Sequence, residues 1–225
     1  MDDFEESPDA TRPIKFRLGY NVVLAIGTPN DRKHHNVLRL SIIRSPLQRT
    51  LMNILLLLPT FLQVPITAKF PGFFLPDRLV LKKAKEDWLE EFENEKHMYK
   101  RLQSLQGRVI PRLYGETECE GARALILSEI TGIMPWEQKT PPLKADQFME
   151  LVEPAFREIN TLGLAYDDIK LDNMILVQDR VVLVDLESVY EPSLEHREYV
   201  FNSDRRQLEV VYQRYLDNCN DDDDF

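Results

Sequence analysis

The sequence predicts an α+β fold, on three observations. Short runs of Val, Leu and Ile bounded by turn residues read as strands. Two longer segments carry apolar residues at helical spacing. A compact hairpin pattern, Met174 to Val184, stands between the second of these and a final helix.

Residues 1–12 begin Met1-Asp2-Asp3-Phe4-Glu5-Glu6 and read as a flexible acidic lead, without the basic start of a signal peptide. Tyr20 to Ile26 and Asn36 to Ile43 read as paired strands around the turn residues Gly27-Thr28-Pro29-Asn30-Asp31. From Arg44 to Asp77 the prolines Pro46, Pro59, Pro65, Pro71 and Pro76 argue against long regular structure; a faulty gene model over residues 44–77 is the other reading. The most apolar run, Leu51 to Val64, is broken by Pro59 and is too short to span a bilayer, so it is expected in the core.

Leu79-Val80-Leu81-Lys82 is the next strand, and a helix is expected from Glu86 to Gln106, its stripe being Trp88, Phe92, Tyr99, Leu102 and Leu105. Ala124 to Ile130 reads as a strand, and Ala145 to Leu162 as a helix with Phe148, Leu151, Val152, Ala155, Ile159 and Leu162 on one face. The last helix is expected from Asp204 to Leu216 with Ser203 as N-cap, followed by an unstructured acidic tail over 218–225.

Composition narrows the function classes. The chain has 225 residues, 28 basic against 38 acidic, for a net charge of −10. An acidic chain without a long basic run is a poor binder of nucleic-acid phosphates. Cys119 and Cys219 form no CxxC pair, which argues against a cysteine metal cluster or disulfide framework and suits a reducing, cytoplasmic setting. His34, His35, His97 and His196 show no metal-ligand spacing.

One constellation carries chemistry. With a three-residue turn, Val177 faces Val181, and counting outward sets Asn173 opposite Asp185. An amide oxygen and a carboxylate there are hard donors of the kind Mg²⁺ takes. Asp168 stands five residues before Asn173, with Lys170 between them. A carboxylate so placed can accept a hydroxyl proton, and a lysine can offset phosphoryl charge. Upstream, strand alternation sets Lys82 beside Val80, and Glu95 falls on the apolar stripe of its helix, where a carboxylate needs a partner.

The segment Tyr166-Asp167-Asp168-Ile169-Lys170-Leu171-Asp172-Asn173 resembles the protein-kinase catalytic loop H-R-D-x-x-x-x-N, and Val184-Asp185-Leu186-Glu187 stands where D-F-G would stand. Leu79-Val80-Leu81-Lys82 is similar to the V-A-I-K strand. The resemblance, over roughly Leu79 to Val189, is to the protein-kinase-like superfamily, including small fungal kinase-like and aminoglycoside-phosphotransferase-type proteins.

It implies a two-lobed fold over 13–217, with an N-lobe at about 13–128 and a reduced C-lobe at about 133–217. It also implies ATP and Mg²⁺ as cofactors and γ-phosphate transfer to a hydroxyl of a protein or small molecule. By the same resemblance Lys82 and Glu95 position the nucleotide, and Ser128, Glu129 and Ile130 form the hinge that meets adenine. Asn173 and Asp185 would hold the metal, Asp168 would act as base and Lys170 would support the phosphoryl group. The sequence departs from the pattern at Tyr166 and Asp167, at Glu187 in place of the D-F-G glycine, and in having no G-x-G-x-x-G before Lys82. The alternative is therefore a pseudokinase, a binding or scaffold module without turnover.

Overall fold

The computed structural model describes residues 11–30 and 34–222. Residues 1–10 of the expected acidic lead and 223–225 of the expected tail lie outside the described residues. The chain divides into two compact units, residues 1–88 with 112–129 and residues 89–111 with 130–225.

The first unit is built on six antiparallel strands: β1 (Arg12–Leu18), β2 (Asn21–Pro29), β3 (Val37–Ile42), β4 (Arg78–Lys83), β5 (Leu113–Cys119) and β6 (Ala122–Ser128). Their order is β1-β2-β3-β4-β6-β5. Alternation buries Ile14, Phe16 and Leu18 against Val23, Ala25, Leu38, Leu40, Leu79 and Leu81. The sheet curls until its two outer strands approach, and Thr117 Oγ1 on β5 donates to the Arg17 carbonyl on β1 at 2.6 Å. Gly115 makes that approach feasible: its φ is +152°, and a Cβ there would stand 2.8 Å from Leu18 Cδ1. β1 and β5 were not expected, because their outward residues are charged and leave no continuous apolar run.

Residues 44–77 are more regular than their prolines suggest. They form α1 (Pro46–Leu56) and α2 (Thr60–Lys69). Pro46 stands in the first turn of α1, Pro59 immediately precedes α2, and Pro71 opens a 3-10 turn, all places where no backbone donor is needed. Ser45 Oγ accepts from the Gln48 N–H at 3.2 Å, and Gln48 Oε1 accepts from the Ser45 N–H at 2.9 Å, a reciprocal cap that starts α1. The expectation that Leu51 to Val64 enters the core fails for α1, in which no residue is buried.

The second unit contains α3 (Leu89–Arg101), α4 (Ala145–Thr161) and α5 (Arg197–Asp222), with the strand pairs β7 (Ala165–Tyr166) to β10 (Val189–Tyr190) and β8 (Met174–Val177) to β9 (Arg180–Leu183). α3 starts later than expected because Asp87 sits at φ +62°. It buries Phe92, Glu95, Met98 and Tyr99. Trp88, expected on that stripe, lies outside the helix and packs its ring under the Lys85 ammonium at 4.9 Å. α4 buries Phe148, Val152, Ala155 and Ile159 as expected, with Met149 and Phe156 in place of Leu151 and Leu162.

Gly163 ends α4 at φ +79°; a Cβ there would come within 2.7 Å of the Arg197 guanidinium. α5 begins well before Ser203, which lies inside it rather than capping it, and continues through residues 218–222 of the expected tail. Tyr212 anchors it, stacked on Phe148 at 3.8 Å between ring centroids and donating to the Leu143 carbonyl at 2.8 Å.

Candidate functional site

The hairpin that carries the site has a different register from the one expected. Met174 pairs with Leu183 and Val177 with Arg180, so the turn is two residues long, with Gln178 at φ +54°. The Val184 N–H donates to the Asn173 carbonyl at 2.9 Å, so Asn173 opposes Val184 rather than Asp185. A one-residue difference in turn length moves every pairing by one. Gln178 gives no warning of this, since Asn or Gly is the usual signature of such a turn.

Asp168, Lys170 and Asn173 do come together. Asn173 is buried, and its Nδ2 donates to Asp168 Oδ2 at 2.8 Å and to the Asp168 carbonyl at 3.1 Å. Lys170 Nζ meets Asp168 Oδ1 at 2.7 Å and Oδ2 at 3.0 Å. The backbone supports this through the Lys170 N–H, which donates to the Asp168 carbonyl at 2.9 Å, and the Asn173 N–H, which donates to the Lys170 carbonyl at 3.1 Å. The hydrogen bond to Asp168, then the charges of Asp168, Asp185 and Asp172, raise the Lys170 pKa above the ordinary lysine value, against a smaller opposing effect of burial. Asp168 is thus a carboxylate oriented by an amide and neutralised by an ammonium, with lone pairs left to accept a further hydrogen bond.

Asp185 is held from the other side. Tyr166, in β7, donates its hydroxyl to the Val184 carbonyl and to the Asp185 carbonyl, the latter at 3.1 Å. Asp185 itself stands at φ +64°, a conformation that Asp tolerates better than most residues. The Leu186 N–H points at Glu95 Oε1 at 3.4 Å, and the Glu187 N–H at Asp185 Oδ1 at 3.4 Å. Asn94 Nδ2 bridges the Glu187 and Val189 carbonyls at 2.8 and 2.9 Å, tying the segment to α3.

These constraints gather three carboxylates, Glu95, Asp185 and Glu187, with one oxygen of each lying within 4.8 Å of the others. Three carboxylate oxygens so gathered could hold a metal ion, which would also offset their mutual repulsion. The fully buried Tyr99 hydroxyl has no hydrogen-bond partner among the described residues. Burial first, then the charges of Glu95 and Asp185, raise its pKa well above the usual phenol value.

The other expected site residues are described within the first unit, except Ile130, which is half-buried in the second. Lys82 is 7% exposed on β4. Its neighbour Lys83 pairs with Glu120, and chiefly that hydrogen bond lowers the Glu120 pKa below the ordinary carboxylate value. Ser128 Oγ accepts from the Arg112 N–H at 2.9 Å, and Glu129 lies 4.0 Å from the Arg78 guanidinium.

Glu187, Asn94 and the Tyr166 hydroxyl were not foreseen as working parts. Glu187 was legible as an acidic residue two positions after Asp185, whereas Asn94 and Tyr166 act on distant main-chain carbonyls that no spacing reveals. No protein-family model matches the chain, and no curated protein matches it either.

Proposed function

We propose that the chain is an ATP- and Mg²⁺-dependent phosphotransferase of the protein-kinase-like type, transferring the γ-phosphate to a hydroxyl of a protein or small molecule. The observation that carries this reading is the hydrogen-bonded set of Asp168, Lys170 and Asn173, in the order and spacing of a phosphotransfer loop. Asp168 would accept the proton of the attacking hydroxyl, held in aim by Asn173. Lys170 would turn from Asp168 toward the transferring phosphoryl group. Glu95, Asp185 and Glu187 would hold the metal, with Asn173 as the further donor expected from the sequence. When bound, the metal supplies charge compensation for the phosphates. Nucleotide contacts at Lys82, Ser128, Glu129 and Ile130 belong to the same proposal.

A second reading, a nucleotide-binding or scaffold module without turnover, is favoured by one observation. The sequence before Lys82 contains no G-x-G-x-x-G run to cradle phosphates. The test is paired. MgATP should raise the melting temperature, and the protein should consume ATP when offered hydroxyl acceptors. A thermal shift without turnover across broad acceptor panels selects the second reading, and no shift at millimolar nucleotide removes both.

A further inference from the structure

The outer face of the first unit joins cations to apolar side chains. In the β1–β2 register Lys15 opposes Leu24 and Arg17 opposes Val22. Arg39 opposes Thr28, and Ser41 opposes Arg78, so the same face continues across β3 to β4, where half-buried Val80 and buried Lys82 also lie on it. Lys15, Arg17, Arg39 and Arg78 are exposed there, beside exposed Val22, Leu24 and Ile43. None of β1, β2, β3 or β4 contains an acidic residue.

The apolar part of this face extends into α1. A cleft of about 280 Å³ lies between Val22, Leu24 and Ile43 and the side chains of Gln48 and Phe73, and the buried Asn21 Oδ1 at its wall has no hydrogen-bond partner among the described residues. Along α1, Leu47, Leu51 and Ile54 recur at helical spacing and are all exposed, Leu47 to 78%. Leu57 and Phe61 follow at 86% and 73% exposure. Exposed apolar side chains in this number mark an interaction site.

Charge selects the occupant. From Thr11 to Pro76 the sequence holds nine Lys and Arg residues and a single acidic one, Asp31, although the chain as a whole is −10. Arg44 is taken up internally by Asp77 and the Leu75 carbonyl, but Arg49 and Lys69 lie on or beside the exposed helices. A second copy docking on this face would set the same cations against themselves, since a twofold interface repeats one patch on both subunits. An anionic surface meets them favourably. α1 buries none of its residues and presents its leucines outward, as a helix lying in a headgroup boundary does.

We infer that the β1–β2 part of this face, with α1 and α2, docks the protein onto the surface of an anionic lipid bilayer. The cations meet headgroup phosphates and carboxylates, and the leucines and Phe61 enter the acyl boundary. No helix among the described residues is long and apolar enough to cross a membrane, in keeping with attachment along the surface.

The experiment floats the full chain with vesicles of phosphatidylcholine alone or of phosphatidylcholine with phosphatidylserine. Flotation is expected with the second only, weakening as salt rises. Lys15→Thr with Arg17→Thr should lower partition about thirtyfold, and Leu47→Ser with Ile54→Ser should lower it at least as far, both with an unchanged melting temperature because all four side chains are exposed. Absence of flotation on anionic vesicles, or flotation that ignores both double variants, overturns the inference. So does self-association in ultracentrifugation that Leu47→Ser with Ile54→Ser abolishes while no vesicle is bound, or retention on immobilised poly-glutamate without vesicle binding. Those two outcomes assign the face to a second copy or to an acidic protein.

Discussion

The Tyr166 hydroxyl donates to the carbonyl of Asp185 at 3.1 Å, fixing the backbone of a residue that stands at φ +64°. The same hydroxyl donates to the Val184 carbonyl, and the tyrosine ring lies edge-on to Phe156 at 5.6 Å. Its pKa is raised well above the usual phenol value, by burial first and then by the charges of Asp185 and Asp168, so it acts as a neutral donor. Tyr166→Phe keeps the packing and deletes the donor. It should cost about 1–2 kcal/mol in urea unfolding, with any Mg²⁺-induced stabilisation also reduced. A variant indistinguishable from the parent in both measurements would show that the hydroxyl does not position Asp185.

The carboxylate cluster makes a separate prediction. Asp185→Asn removes one charge yet keeps a side chain that tolerates the left-handed backbone, so the fold should survive. Glu187→Gln changes the second charge at equal size. Each should abolish most of the Mg²⁺-dependent rise in melting temperature, because the cation loses one of three gathered carboxylates. If Asp185→Asn eliminates the rise and Glu187→Gln leaves it whole, Glu187 is not a ligand and the metal sits with Asp185 and other donors.

Asp168 and Asn173 can be separated by kinetics. Asp168→Asn should retain ATP binding, seen as a thermal shift, while turnover falls by about 10² to 10⁴, the usual worth of a positioned base. Asn173→Ala removes the donor at 2.8 Å to Asp168 and should reduce turnover, but it leaves the Lys170 pair at 2.7 Å in place. Equal turnover in the parent and Asp168→Asn would take Asp168 out of the mechanism.

The ease of reading these parts from sequence follows the range of the forces that hold them. Asp168, Lys170 and Asn173 sit within six residues and bond to one another, so their spacing carried their geometry. Glu95 was legible because helical periodicity alone places it among Phe92 and Tyr99, and it is fully buried. Asp185 was found, but for a reason the hairpin register overturns. Its place depends on a two-residue turn at Gln178 and a left-handed backbone, neither of which its residues advertise. Asn94 works through carbonyls more than ninety residues away, beyond any local pattern. α1 and α2 were missed because counting prolines ignores position: Pro46 and Pro59 stand where helices start, and Pro65 lies inside α2 without ending it.

Asp204 makes a pH prediction of definite sign. It is 9% exposed on α5, and burial first, then the charge of Asp167, raises its pKa from 3.8 to about 6. The folded protein therefore holds this proton more tightly than the unfolded chain does. The stabilising effect of the bound proton is complete below the unfolded value and disappears as pH rises toward 6, so the parent should lose stability across that window. Asp204→Asn removes the titration and should abolish that part of the slope. At neutral pH the variant should be the more stable protein, by on the order of 1–3 kcal/mol, with the difference closing toward pH 4. Urea unfolding of both proteins from pH 4 to pH 8 measures it. Parallel profiles would mean that Asp204 ionises in the folded state as an ordinary carboxyl, and a variant less stable at pH 7 would mean that its charge has a partner in the fold.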